Sequence, residues 1–154
     1  MQLRIKLSDS TYNPVSGKST VTIKTKRGIY TGVAKVHPDD EEVQSQYTGL
    51  RIAEMKAAKK AYKDELKREK IILHILPSIQ KELIQTLNKC STYQSFTWAQ
   101  TLIEQRFYFI IKSHKKNINQ LEMWIKSIDR SLKDNKKHLQ QIKEKRRLNK
   151  RSNN

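Results

Sequence analysis

Cysteine is almost absent from this sequence. Cys90 is the single one among 154 residues, so no intrachain disulfide can close and no zinc site built on paired thiolates can form. A reducing compartment is expected, with Cys90 as a small, inert thiol. Glycine is scarce as well: Gly17, Gly28, Gly32 and Gly49 are the only four, which leaves no glycine-rich loop to cradle a phosphate. Ser16, Gly17, Lys18 and Ser19 echo the end of such a loop, but the preceding glycine is missing and the residues that follow read as a strand. Long apolar runs are missing too. "IILHILP" is too short to cross a bilayer, and "MQLRIKLSDSTYNP" has no apolar stretch of signal-peptide length. No membrane partner and a cytoplasmic location are the expectation. Carboxylates are the last shortage, with 15 Asp and Glu against 32 Lys and Arg, a net charge of +17 and a pI near 10.0.

That excess of one sign repels itself in a compact monomer, so a polyanionic partner is expected, nucleic acid before an acidic protein face. The charge is regional. Residues 1–50 are net +2, 51–76 net +4, 77–111 net +1 and 112–154 net +10. The C-terminal region is therefore where a polyanion would be met.

The chain reads as α+β and mainly helical, with one modest core: a small sheet region over 1–49, a helical region over 50–142 and a basic tail over 143–154. "QLRIKL", "TVTIKTK" and "GIYTGVAKV" have strand character and predict three short antiparallel strands at about 2–7, 19–26 and 29–36. "SDSTYNPVSGKS" between the first two is rich in turn formers and reads as an exposed loop, and Arg27 with Gly28 as a tight turn. From about Leu50 the spacing becomes helical, with Ile52, Met55, Tyr62, Leu66 and Leu73 near one face and Ala53, Ala57, Ala58 and Ala61 allowing close approach. Pro77 is expected to kink or end that helix, with a second short helix after it. Thr97 three residues before Gln100 has the form of a capping box, which predicts a new helix from about Trp98.

The last helix carries the clearest period. Phe107, Ile111, His114, Ile118, Leu121, Ile125, Ile128, Leu132, Asn135, Leu139 and Ile142 follow at alternating steps of four and three, the spacing of a coiled-coil seam. A seam needs a partner helix, either residues 50–75 folded back antiparallel or the same helix of a second subunit. Dimerisation through 107–142 is favoured. Asn135 within the seam is compatible with a register-fixing polar contact or with an exposed helix end.

"GIYTGVAKVHPDDEE" sets His37 beside Asp39 and Asp40, which raises a divalent metal or an acid/base site. The competing explanation is a helix start: Pro38 suits a first turn, and Asp39, Asp40, Glu41 and Glu42 complement the N-terminal dipole. The second is favoured, because His74, His114 and His138 offer no second ligand at a metal-binding spacing. No cofactor, no metal and no catalytic residue is expected.

Two basic segments differ in kind. Lys56, Lys59, Lys60, Lys63, Lys67 and Lys70 are interleaved with Asp64, Glu65 and Glu69, the pattern of a solvated helix face. Lys143, Lys145, Arg146, Arg147, Lys150 and Arg151 are opposed by Glu144 alone. With Lys136 and Lys137 they form the expected phosphate-binding arm, whose affinity would fall steeply with salt. Of the central aromatics, Tyr93, Phe96, Trp98, Phe107, Tyr108 and Phe109, most are expected in the core, with Trp98 and Tyr108 as candidates for a protein-contact patch.

Gly32, Ala34, His37, Pro38 and Asp40, followed by Gly49, Ile52 and Ala53, make a Gly-x-Ala-x-x-His-Pro-x-Asp run and an Ile-Ala helix start. In these the segment from about 20 to 65 resembles small accessory proteins encoded by bacteriophages and prophages of Gram-positive bacteria. The resemblance implies a phage origin and an accessory role, with inhibition of a host defence system such as CRISPR as a recurrent activity in that company. It implies no catalytic residues. The function expected is thus non-enzymatic binding of nucleic acid, or of a host ribonucleoprotein or nuclease. The runner-up is capture of a host protein through an apolar helix surface.

Overall fold

The structure, a computed structural model, describes residues 5–35, 46–90 and 93–152, with the side chains of 93–95 and 150–152 outside the description. Three antiparallel strands, β1 (Lys6–Asn13), β2 (Lys18–Thr25) and β3 (Gly28–Lys35), form a sheet of order β1-β2-β3. Two long helices follow, α1 (Gln46–Cys90) and α2 (Tyr93–Ser152). The fold is α+β and mainly helical, as the sequence predicts.

Local chemistry moves the first strand from its expected place. β1 occupies Lys6–Asn13, most of it inside the stretch read as a loop. Turn chemistry is concentrated in five residues: Asn13 Oδ1 accepts hydrogen bonds from the backbone N–H of Val15 (3.0 Å) and Ser16 (3.1 Å), and Gly17 supplies the left-handed φ of 57°. Ser8–Asn13 are left to pair with β2 as a polar, exposed edge strand that carries no alternating apolar signal. The register slips by one residue between Leu7 and Asp9, as at a β-bulge. At the other hairpin Lys26 and Arg27 form the turn and Gly28 already belongs to β3. Thr25 Oγ1 accepts from the Arg27 N–H (3.1 Å) and donates to the Gly28 carbonyl (3.2 Å).

The helices also differ from expectation at their ends. Pro77 lies inside α1, which runs on to Cys90. The missing N–H costs one helical hydrogen bond, but half-buried Leu73, Leu76, Gln80, Ile84 and Leu87 continue one face across it at steps of three and four, so packing on both sides holds the helix together. Thr97 is not a cap, because α2 begins at Tyr93. Thr101 Oγ1 donates to the Thr97 carbonyl (3.0 Å) and Gln100 Nε2 to Glu104 Oε1 (2.9 Å), both one turn along the same helix. Residues 143–152, read as a tail, continue α2.

The chain divides into two compact units, 1–63 with 124–154, and 64–123. In the first, β2 turns Ser19, Val21, Ile23 and Thr25 inward, and β3 turns Gly32 and Ala34 inward. Val21, Ile23 and Ala34 form one core with Ala53, Ala57 and Ala61 of α1, the three alanines being at most 1% exposed. Spacing of four places those methyls in one row, and methyl-sized side chains let the helix sit close to the sheet. Gly32 sets the distance: a Cβ there would lie 1.9 Å from the Ala53 carbonyl oxygen and 2.6 Å from the Ala57 nitrogen. Gly49 similarly abuts Ser19 Oγ, which would be 2.4 Å from a Cβ at 49. Gly32, Ala34, Gly49 and Ala53, which carry much of the resemblance noted above, therefore meet in this contact layer. On another side of α1, Tyr62 packs at a tilt against Trp124 of α2 with ring centroids 5.2 Å apart, and Lys59 pairs with Asp129.

In the second unit the segments of α1 and α2 pack antiparallel. Phe107, Ile118 and Leu121 are buried, and His114 Nδ1 donates to Glu69 Oε2 at 2.6 Å, with Glu69 only 3% exposed. Lys70 pairs with Glu122 at 2.9 Å.

Candidate nucleic-acid interface

Charge separates between the two units. Over its sequence the first unit holds 23 Lys and Arg against 9 Asp and Glu, net +14, and the second 9 against 6, net +3. Within the first unit three positive side chains of α1 are engaged in structure. Lys56 Nζ donates to the Val33 carbonyl (2.9 Å), Lys60 Nζ to the Thr31 carbonyl (2.7 Å), and Lys59 pairs with Asp129. In the second unit Lys70 holds Glu122, and Arg68 holds Asp64 at 3.1 Å one turn back. Much of the mixed-sign segment, expected as a solvated face, is thus tied within the fold, while Lys63 and Lys67 are exposed.

The C-terminal part of α2 is different. Lys136, Lys137, Lys145, Arg146 and Arg147 are exposed and Lys143 is half-buried. Lys150 and Arg151 lie on the helical backbone, with side chains outside the described set. The expected binding residues therefore project from a helix, at fixed intervals, and not from a flexible arm. Helical phase then brings in three residues that the sequence reading passed over. Lys126, Arg130 and Lys133, with Lys137, follow at steps of four, three and four, all exposed. At 100° per residue this row lies roughly opposite the seam residues Ile125, Ile128, Leu132, Asn135 and Leu139. The cations thus line the outer face over about 16 Å. The signal in the sequence is a basic row half a turn from the seam, which the runs of consecutive charge around it mask.

A second basic face belongs to the same unit. On the outward side of the sheet Lys6 stands opposite Lys24 and Lys18 opposite Lys35, all exposed. Like charges directly opposite one another across strands destabilise a sheet, and an anion laid across them would relieve that. Between the pairs Thr22 and Thr31 face each other with hydroxyls 3.3 Å apart.

The remaining candidates are placed as follows. Of the seam, Ile118 and Leu121 are buried, and Ile125, Ile128, Leu132, Asn135 and Leu139 half-buried. Asn135 Nδ2 donates to the Ser131 carbonyl of its own helix (2.9 Å). Trp98 and Tyr108 are 71% and 60% exposed, with Lys112 Nζ 5.7 Å from the Tyr108 ring. Of the other central aromatics, most of which were expected in the core, Phe107 is buried, Phe96 half-buried and Phe109 64% exposed. His37, Asp39 and Asp40 lie outside the described residues. Among the described residues no three His, Cys, Asp or Glu are grouped to hold a metal ion. A groove of about 260 Å³ between the helices of the first unit, floored by Tyr62 and Trp124, brings in one carboxylate, Glu54. No described helix is long and apolar enough to cross a membrane. No known family model, curated protein or solved structure matches this chain.

Proposed function

We propose that the chain is a non-enzymatic accessory protein that binds nucleic acid, or a nucleic-acid-containing host complex, and blocks its use. The observation that supports this is the segregation of +14 into one unit, with exposed Lys126, Arg130, Lys133 and Lys137 in a row on α2. Such a row meets a phosphate backbone by releasing counterions and needs no base contacts, so binding is tolerant of sequence and steeply dependent on salt. The resemblance to phage accessory proteins adds the setting: a host cytoplasm, with a defence nuclease of the CRISPR kind as the complex blocked.

The test is titration of labelled duplex and single-stranded oligonucleotides over a range of salt. Reversing Lys126, Arg130, Lys133 and Lys137 to Glu should flatten the log–log slope by roughly 3 to 4. Replacing Lys145, Arg146, Arg147, Lys150 and Arg151 together should abolish binding. Binding that survives both sets unaltered refutes the proposal. A second reading, capture of a host protein by apolar surface, is favoured by the exposure of Trp98 and Tyr108. It requires weak salt dependence and loss of capture on Trp98→Ala or Tyr108→Ala.

A further inference from the structure

Both basic faces described above belong to the first unit, and the packing of that unit fixes their directions. Ala53, Ala57 and Ala61 of α1 are buried against Val21, Ile23 and Ala34 of the sheet. Lys59 and Tyr62 of the same helix meet Asp129 and Trp124 of α2, and Met55 shares a groove with Trp124 and Ile128. At 100° per residue Met55, Lys59 and Tyr62 lie within about 40° of the side of α1 opposite Ala57. The unit is therefore layered as sheet, α1 and α2, with α1 in the middle. The outward face of the sheet and the outer row from Lys126 to Lys137 look in opposite directions, with two helices of about 10–12 Å diameter between them.

The sheet face carries charge that the fold does not use. Over residues 5–35 six Lys and Arg stand against one carboxylate, Asp9, which lies opposite Thr22. Unlike Lys56, Lys59 and Lys60 of α1, the opposed lysines Lys6 and Lys24, and Lys18 and Lys35, are tied to no carboxylate or carbonyl among the described residues. Lys18 and Lys24, six residues apart on β2, set the two pairs about 20 Å from each other.

We propose that the outward face of the sheet is a second duplex-binding surface, so that one copy of the chain holds two nucleic-acid duplexes on opposite sides. A duplex is stiff over about 150 base pairs, so one that lies along the α2 row cannot turn back around a body this thin to reach the sheet. A separate duplex is the polyanion that can. With four lysines and an opposing carboxylate the sheet is the weaker face, and it fills after α2, whose row continues into Lys145, Arg146 and Arg147. The inference rests on the reading of that α2 row as a phosphate-binding surface, and adds that bound duplexes are bridged without a second copy of the chain.

Bead capture tests this, with a short biotinylated duplex on the beads, a fluorescent duplex in solution and the full chain added stepwise at low salt. Retention of the fluorescent duplex should pass through a maximum and fall once excess protein covers each duplex singly. Lys6→Gln, Lys18→Gln, Lys24→Gln and Lys35→Gln together should cut retention at least about tenfold, with the helical circular dichroism kept and the affinity and salt slope for a single duplex unchanged. Lys18→Gln with Lys35→Gln alone should give an intermediate loss. Equal retention by parent and four-site variant overturns the proposal, because the bridge then runs through paired copies or another surface. So does a parent that binds one duplex and retains no second. A parent that binds no duplex in the single-duplex titration overturns this inference together with the reading beneath it.

Discussion

Gly32→Ala tests the seat of α1 on the sheet most directly. The added Cβ would lie 1.9 Å from the Ala53 oxygen, 2.6 Å from the Ala57 nitrogen and 2.9 Å from the Ala53 carbonyl carbon. All three are backbone atoms, so no side chain can rotate out of the way. Helix and sheet must separate by more than 1 Å to restore ordinary contact, and a gap of about 0.5–1 Å already forfeits a quarter to a half of the dispersion between facing atoms. The layer affected holds Val21, Ile23, Ala34, Ala53, Ala57 and Ala61. Overpacking of this kind costs about 1–3 kcal/mol. The smaller conformational entropy of an unfolded chain with Ala in place of Gly returns about 0.4–1 kcal/mol. We expect a net loss of about 1–2 kcal/mol, an appreciable share of the about 5–15 kcal/mol that holds a domain together. Urea unfolding followed by helical circular dichroism measures it, and neither Ala53→Gly nor Ala57→Gly should restore stability. Unfolding within about 0.5 kcal/mol of the parent, the scatter of an ordinary surface substitution, would refute the close seat.

Gly49→Ala should behave differently, because the atom it meets is Ser19 Oγ, a buried hydroxyl with no hydrogen-bond partner among the described residues. Ser19→Ala should be neutral or stabilising by about 1 kcal/mol and should rescue Gly49→Ala, which a double-mutant cycle in urea would read. His114→Ala removes the donor to buried Glu69 and should cost about 1–3 kcal/mol; equal stability of parent and variant in the same assay would mean that the contact is not made. Burial against Trp124 raises the Tyr62 pKa above its ordinary 10.0. The folded chain therefore holds that proton more tightly than the unfolded one, and stability falls as pH rises from about 10 upward. Difference absorbance at 295 nm should show one tyrosine ionising late, and Tyr62→Phe should remove it. Lys56→Met with Lys60→Met should leave the salt dependence of nucleic-acid binding unchanged and increase light scattering, because both ammonium groups cover backbone carbonyls of β3; a flattened salt slope would place them in the interface instead.

The parts of the fold that were legible had a period. β2 alternates over Ser19, Val21, Ile23 and Thr25, and the seam from Phe107 to Ile142 keeps its steps of four and three; every one of those positions is buried or half-buried. β1 was misplaced because an edge strand exposed on both faces has no period to read, and its polar residues look like a loop until Asn13 and Gly17 are seen to hold the whole turn. Pro77 and the Thr97–Gln100 pair misled for a related reason. Both are local stop and start signals, and neither prevails over packing that continues through them.

The lysines show why a basic composition identifies a class of partner more readily than a surface. Lys56 and Lys60 fall in the same dense run as Lys59 and Lys63. In the fold Lys56 and Lys60 donate to Val33 and Thr31, whose carbonyls point away from β2: Thr25 and Gly28 close the hairpin as a hydrogen-bonded pair, and every second residue of β3 then faces outward. A strand edge left open is a template for association, and lysine over it is a usual guard. Nothing in the spelling of "KAAKKAYK" distinguishes a guard from a phosphate ligand, since both are lysines at helical spacing. The distinction lies in phase relative to neighbouring elements. Rows that face a sheet edge or a carboxylate on the facing helix are consumed within the fold, as Lys59 is by Asp129. Rows half a turn from a buried seam, as Lys126, Arg130, Lys133 and Lys137 are, stay turned to solvent. The seam itself is readable from sequence, so the outer row opposite it is readable with it.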